Sequence, residues 1–468
     1  MVNQQGKHLV VLNVVALSPW MLGEDTPNLN RLLESGYKKN HLKEVVPAVT
    51  TTSQACMLTG EMPNKHGIVA NGWYFKDLAE VMFWKQPNHL VQAEKVWHPL
   101  KKRYQNFKVS KLFWWYNMYA EVDASITPRP HYLADGNKIF DLYSSPSGLH
   151  ESIEKKIGKF PFFNFWGPKA GIGASKWIAD CAIEEFKRNR PNLQLVYLPH
   201  LDYSLQKFGP ESPQAKAEIK AIDAVIGELI HELSSEGAEF ILLSEYGITE
   251  VSQAVPVNQI LRKSGYINVR RTHHMENLDC GASRAFAAVD HQVAHVYIKN
   301  SQDIAAVEAL LREQPGIESV LNKSQQEALG LAHERSGELL LIAKPNVWFT
   351  YYYWLDDANA PEFARTVDIH RKPGYDPCEM FIDPDLKFPL LSVAKRVAKK
   401  KLGFRYLMDV IPIKPELIKG SHGRPVDDPE HGPILILPEK LQQKIQGGVT
   451  TSYYHMTQIK SLIEAYFS

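Results

Sequence analysis

Three stretches of this chain are apolar almost without interruption: residues 10–17 (VVLNVVAL), 193–198 (LQLVYL) and 240–243 (FILL). A strand with one wet face alternates apolar and polar residues; a continuous run marks a strand covered on both faces, as in a parallel sheet sandwiched by helices. Between the second and third runs lies a long amphipathic stretch, about 212–233. Strand, helix, strand in that order implies right-handed crossovers and a largely parallel sheet. A further helix is expected to open near Thr26-Pro27, where Pro suits a first turn, and to close at Gly36. Ligands of such sheets bind beyond the carboxyl ends of the strands, which draws attention to Asp202 after the second run and Glu245 after the third.

Lys7 and the apolar residues behind it have the outline of a short leader, but the run is β-branched and stops at Ser-Pro, so it reads as a first strand. No later run approaches the ~20 apolar residues of a membrane span. The four cysteines, Cys56, Cys181, Cys280 and Cys378, are scattered and form no CxxC pair, which favours a reducing compartment; the expected location is cytoplasmic. Lys+Arg 53 against Asp+Glu 52 gives a net charge of +1. That balance supplies no electrostatic reason to expect a nucleic acid polymer or a membrane surface as partner.

From about 255 to 390 the texture changes. VAHVYI, a helix near 304–314, IESVL and ELLLIA compose a compact β-α-β-β unit, closed by the aromatic stretch 348–354. It reads as an α+β cap inserted into a core made of 1–254 and 391–468.

The densest chemical signal is the string from Pro47 to Asn71, PAVTTTSQACMLTGEMPNKHGIVAN. A hydroxyl at a helix N-terminus sits where free N–H groups and the helix dipole favour an anion, which lowers the cost of an alkoxide and holds a phosphate for attack. A single Ser or Thr in such a place often does no more than cap the helix. The longer string resembles the pattern of the type I phosphodiesterases and nucleotide pyrophosphatases, a branch of the alkaline phosphatase superfamily: Pro, a nucleophilic Thr three residues on, Thr-Gly ending a helix, then Pro-x-x-His-Gly-Ile-Val-x-Asn. The resemblance implies that Thr50 is the nucleophile and Asn71 a donor to a phosphoryl oxygen. It also implies two divalent metals, held in the family by Asp, a His four residues later and a C-terminal His on one side, and by a first-strand Asp, the nucleophile and an Asp-His pair on the other.

On that pattern Asp202 and His422 match the first metal site, with Gln206 where the second ligand is usually His. Glu245-Tyr246 stands where Asp-His is usual, and Val15 replaces the first-strand Asp. An oxygen-rich, His-poor set suits Mg²⁺, Mn²⁺ or Ca²⁺ better than Zn²⁺, and one ion, two or none are all compatible with it. Asp290, His291 and His295 are reserves, read first as satisfied polar groups on a cap strand with Asp290 facing away from the two histidines. The loop carrying Asp368, His370 and Asp376 reads equally as a wall facing a polar ligand or as a surface turn. Among the aromatics, Trp73 and Tyr74, just beyond Asn71, are the expected contacts to a leaving group; Phe113-Trp114-Trp115-Tyr116 and 348–354 are alternatives. Arg129 and Lys138, flanking Tyr132, are expected to add cationic contacts or to be surface charge.

The expected function is metal-assisted hydrolysis of a small phosphodiester or phosphomonoester through Thr50. A non-catalytic binding homologue that has lost the metal pair is the alternative, and a phosphoryl-moving transferase or isomerase has no distinguishing residue.

Overall fold

The computed structural model describes residues 2–3, 6–134, 137–404, 406–446 and 452–468. The core strands and helices are β1 (His8–Val14), α1 (Pro27–Glu34), β2 (Tyr37–Lys43), α2 (Thr50–Thr59), β3 (Val109–Leu112), β4 (Ala124–Pro128), β5 (Leu142–Ser145), α3 (Ile172–Asn189), β6 (Leu193–Leu198), α4 (His200–Phe208), α5 (Pro213–Ser235) and β7 (Ala238–Leu243). A second group follows: β8 (Ala285–Asp290), β9 (Val293–Ile298), α6 (Ile304–Arg312), β10 (Ile317–Leu321) and β11 (Leu339–Ala343). The chain ends with α7 (Pro389–Lys401), β12 (Ile434–Pro438), β13 (Tyr453–His455) and α8 (Ile459–Phe467).

Nine strands form one sheet in the order β5-β4-β3-β6-β1-β7-β12-β2-β13. Its middle, β4-β3-β6-β1-β7, is parallel throughout, and β12 is the strand that runs against both neighbours. All seven residues of β1 and all six of β6 are buried, the state their continuous apolar sequences require. Helix α5 opens on Ser212, whose hydroxyl accepts from Ala215 N at 3.1 Å and so satisfies one of the free first-turn donors. It packs with α3 and α4 on the sheet, and α3 covers β6. The run read as 10–17 ends as a strand at Val14; Val15 is buried just beyond it.

A second, antiparallel sheet has the order β8-β9-β11-β10 and packs α6 against β10. Its strand β8 was absent from the sequence reading, because AFAAVD is short and its small residues carry little strand preference. This sheet and the residues 349–354 share one apolar cluster with Ile68, Val69 and Trp73, so the second layer grips the segment that follows α2.

Candidate active site

Five chain segments meet beyond the carboxyl ends of the central strands. Thr50 begins α2, with Gly60 ending that helix in the left-handed conformation at φ +73°. Asp202 lies in the first turn of α4, directly after β6. Glu245 and Tyr246 follow β7, and His422 follows the short strand Gly420–Ser421. The fifth contribution is the tip of the β8–β9 hairpin, where Asp290 and Val293 pair across the two residues His291 and Gln292.

The hydrogen bonds link these segments directly. Thr50 Oγ1 lies 3.2 Å from the Tyr246 hydroxyl, and that hydroxyl donates to Asp202 Oδ1 at 3.0 Å. Gln206 Nε2 donates to Asp202 Oδ2 at 2.9 Å, while its carbonyl oxygen accepts from the Tyr375 hydroxyl at 3.1 Å. Glu245 Oε1 accepts from Asn13 Nδ2 at 2.5 Å and from Gln54 Nε2 at 2.6 Å. Asn71 holds the entry of α2, its Oδ1 accepting from Thr51 N at 3.0 Å, and it donates through N and Nδ2 to the Asp290 carboxylate at 2.8 and 3.1 Å.

Four rings stack beside the carboxylates. Tyr246 lies flat on His422 with centroids 3.5 Å apart and planes 5° apart; His422 contacts His291 at 3.8 Å, and His291 contacts Tyr375 at 3.6 Å. His422 Nδ1 sits 2.8 Å from Ala48 O, and because a carbonyl only accepts, that nitrogen carries the proton. His291 Nδ1 is fixed likewise, 2.7 Å from Asp290 Oδ1. Each imidazole therefore keeps Nε2 as a buried lone pair, and neither Nε2 has a hydrogen-bond partner among the described residues. Close approach makes this assembly possible at Gly423: its φ is +119°, and a Cβ there would stand 3.0 Å from Gln292 N.

Burial dominates the protonation equilibria. It pushes Asp202 up to about 7 against the pull of Gln206 and Tyr246, and Glu245 up to about 8 against the bonds from Gln54 and Asn13. Asp290 is raised to about 6 by burial, partly offset by Asn71. Burial drives His422 and His291 well below the ordinary imidazole value, so both are neutral. The inner cleft, about 510 Å³ up to its open mouth, is lined by Thr50, Asp202, Tyr246, His291, His422 and Tyr375, with Trp84, Trp115, Phe165, Trp166, Tyr197, Tyr203 and Ile369 as its walls. No Lys or Arg is among them.

The donor set can be tested against the two ions that the resemblance implies. Asp202 Oδ1 and His422 Nε2 face each other at 3.6 Å, and each imidazole proton is already committed to an oxygen, the usual arrangement behind a metal-binding histidine. The pair fits one divalent cation. The second position does not fit: Val15 has no donor atom, and the Tyr246 hydroxyl is spent on Thr50 and Asp202. Glu245 offers Oε2 without a partner, while Gln206 has turned its amide rather than its carbonyl toward Asp202. Among the described residues no three His, Cys, Asp or Glu side chains converge closely enough to hold an ion. A cation between Asp202 and His422 would need hydroxyls, water or substrate to complete its shell, which is how Mg²⁺ is commonly bound.

Other expected residues fall elsewhere. Trp73 and Tyr74 do not line the cleft. They sit on the hairpin Gly72–Phe75/Glu80–Phe83, where Trp73 stacks on Phe75 and under the Arg335 guanidinium, and Tyr74 packs against Phe286 and Tyr297. Their apolar area is claimed by the second sheet, and Trp84 and Trp115 supply the cleft wall instead. Asp290 and His291 are corrected in the other direction: His291 is in a turn at φ +59°, outside any strand, and its ring points with Asp290 into the site. His295 is the satisfied one, with Val69 O at 3.1 Å from Nε2 and Gly337 N donating to Nδ1 at 3.2 Å. Asp376 is bound with Glu379 to the buried Lys372 at 2.7 and 2.8 Å, which anchors the loop that carries Tyr375. His370 lines a second, outer chamber with Arg129, Lys138, Tyr132 and Asp368. That chamber shares Trp115, Phe165, Trp166 and Ile369 with the inner cleft, so the two form one groove.

Comparison with known proteins identifies the family and the fold. Residues 9–376 match the profile of the family described as type I phosphodiesterase / nucleotide pyrophosphatase. An uncharacterized pyrophosphatase/phosphodiesterase of Schizosaccharomyces pombe is 24% identical over 286 residues, 59% of this chain and 50% of that protein, so the chain spans about half the length of that curated relative. A crystal structure of phosphonoacetate hydrolase from Sinorhizobium meliloti with phosphonoformate superposes with a TM-score of 0.61 at 13% identity, covering 98% of this chain and 96% of the other. Inactive murine ectonucleotide pyrophosphatase/phosphodiesterase 5 in complex with AMP gives 0.57 at 14% identity, covering 98% and 95%. At these identities the structural matches establish the fold.

Proposed function

The chain belongs to the type I phosphodiesterase / nucleotide pyrophosphatase family, and from that premise we propose that it hydrolyses a small phosphodiester or phosphomonoester with Thr50 as nucleophile. The observation that carries this reading is the hydroxyl chain from Thr50 through Tyr246 to Asp202, at 3.2 and 3.0 Å, set at the N-terminus of α2. The helix N-terminus and the second amide hydrogen of Asn71 receive the phosphoryl oxygens. Thr50 Oγ forms the new bond to phosphorus, its proton passes to the Tyr246 oxygen, and the Tyr246 proton passes to Asp202 Oδ1. The ester bond breaks with its electron pair on the departing alcohol oxygen. The departing oxygen takes a proton from solvent; water then attacks the phosphoryl-threonine and releases one proton to solvent, while the proton on Asp202 returns through Tyr246 to Thr50 as its oxygen leaves.

A divalent ion bound by Asp202 and His422, when present, would neutralise charge on the phosphoryl group. Glu245 stands where the second ion's ligand stands in the family, and Gln206 serves here to orient Asp202. His370 and the cations of the outer chamber would meet the far part of the substrate; Trp73 and Tyr74 would act on it only by holding the segment after Asn71. We treat 255–390 as the cap over a core of 1–254 and 391–468. A cytoplasmic location is part of the same proposal. It rests on four buried thiols, none of them in a disulfide. No helix among the described residues is long and apolar enough to cross a membrane.

The competing reading is a ligand-binding homologue without turnover, favoured by the wedge of Tyr246 in the second metal position. Assays with an aryl phosphodiester and an aryl phosphomonoester separate the two. Hydrolysis by the wild type that Thr50→Ala abolishes, and Thr51→Ala largely spares, supports the enzyme; tight product binding without turnover supports the rival.

A further inference from the structure

We infer that residues 387–404 form a surface that lays this protein on an anionic lipid bilayer. Helix α7 has no buried residue, unlike the helices on the main sheet. It carries large apolar side chains in water: Leu390 is 83% exposed and Leu391 67%, with Phe388 at 68%, Leu402 at 72% and Phe404 at 65% on its flanks. Leu390, Ala394 and Val397 recur at helical spacing, Leu391, Ala398 and Leu402 lie beside them, and Lys395, Arg396, Lys399 and Lys400 occupy the other face. The helix is moored along one edge only, through Val393 against a small apolar cluster and Arg396 to Asp409 at 2.6 Å.

Charge selects the occupant. Between Leu386 and Met408 the sequence holds seven basic residues, Lys387, Lys395, Arg396, Lys399, Lys400, Lys401 and Arg405, and no Asp or Glu. The chain's net charge is +1, so the remainder is net negative and the positive field is concentrated here. The balanced total that argued against an anionic surface conceals this segregation. A nucleic acid would engage the lysines and leave five large apolar side chains in water. A second copy in a two-fold dimer would bring two like-charged patches together. An anionic bilayer meets both demands at once: the apolar face enters the headgroup–acyl boundary and the lysines meet lipid phosphates. Neither chamber of the groove is lined by this segment, so the surface is separate from the site described above.

Vesicle flotation of the full-length protein tests the inference. Binding is expected to vesicles of equimolar phosphatidylcholine and phosphatidylglycerol, to fall at least about tenfold on pure phosphatidylcholine, and to weaken strongly in about 0.5 M NaCl. The variant Lys395→Gln/Lys399→Gln/Lys400→Gln/Lys401→Gln should lose it, and so should Leu390→Ser/Leu391→Ser/Phe404→Ser at unchanged charge. Both should keep the wild-type circular dichroism spectrum and melting temperature, since none of these side chains is buried. Failure of the wild type to float overturns the inference. So does full binding by the serine variant, which would mark charge adsorption of the kind a nucleic acid also gives. Concentration-dependent self-association lost in the serine variant would overturn it in favour of a second copy.

Discussion

The hydroxyls of Thr50 and Tyr246 lie 3.2 Å apart, and Tyr246 reaches on to Asp202 at 3.0 Å. A phenol therefore stands where the family pattern places a metal-binding imidazole, and it touches both the proposed nucleophile and the carboxylate that would accept its proton. The tyrosine is a working part of the site on this account.

Tyr246→Phe should lower kcat by roughly 10²–10⁴-fold with little change in KM, the range for losing a positioned proton-transfer group. In the metal-free protein Asp202, raised to about 7 by burial, accepts a proton only when ionised, so activity that persists after chelation should rise with pH through about 7, and a cation on Asp202 should move that limb to lower pH. Steady-state kinetics from about pH 5.5 to about pH 9, more than one unit on each side of about 7, check both. A Tyr246→Phe enzyme as fast as the wild type would remove the phenol from the proton path.

The metal content should be about one divalent ion per chain, since Asp202 and His422 fit one cation and Val15 and Tyr246 deny a second. Elemental analysis checks it, and Asp202→Asn or His422→Ala should empty the site. Two tightly held zinc ions would show that the second position is filled by a route the buried rings do not suggest.

Much of this was legible before any coordinates. Continuous apolar runs gave the parallel sheet, because only a strand covered on both faces can be so composed. Thr50, Asp202 and His422 were marked by residues beside them in sequence, and the fold brings them together from far apart. Asp290 and His291 stood only as reserves, read first as satisfied polar groups on a strand, for a physical reason. Asp290 ends β8 and His291 opens the two-residue hairpin tip, where at φ +59° it holds a conformation that glycine or asparagine normally takes. A polar Asp-His-Gln between two short apolar runs was the available signal: a strained non-glycine turn is often a functional one. Trp73 and Tyr74 misled because nearness to Asn71 along the chain says nothing about which apolar layer claims a ring. The orientation of Gln206 depends on Tyr375, 169 residues away, and no local pattern carries it.

Glu44 gives a stability prediction outside the chemistry. Its carboxylate accepts from Gly247 N at 3.0 Å and Val426 N at 2.7 Å, tying the Tyr246 loop to the His422 loop, yet burial outweighs those bonds and raises it to about 7. A raised carboxyl is protonated in the native state while the unfolded chain has released its proton. The wild type should therefore lose stability relative to Glu44→Gln as pH rises from about 4.5 to 7, by up to about 1.4 kcal/mol per unit. Urea melts of both proteins at pH 5 and pH 8, on either side of about 7, check the sign. A constant difference between them would mean that Glu44 is ionised throughout.

The most direct test of the account is chemical trapping of the nucleophile. The enzyme is mixed with an excess of an aryl phosphodiester, quenched in acid within a turnover, digested and mapped by mass spectrometry. The account predicts a phosphoryl-ester adduct on the hydroxyl of Thr50 in the peptide that begins α2, absent from Thr50→Ala. Steady turnover with no adduct at Thr50, or turnover that survives Thr50→Ala, would contradict it.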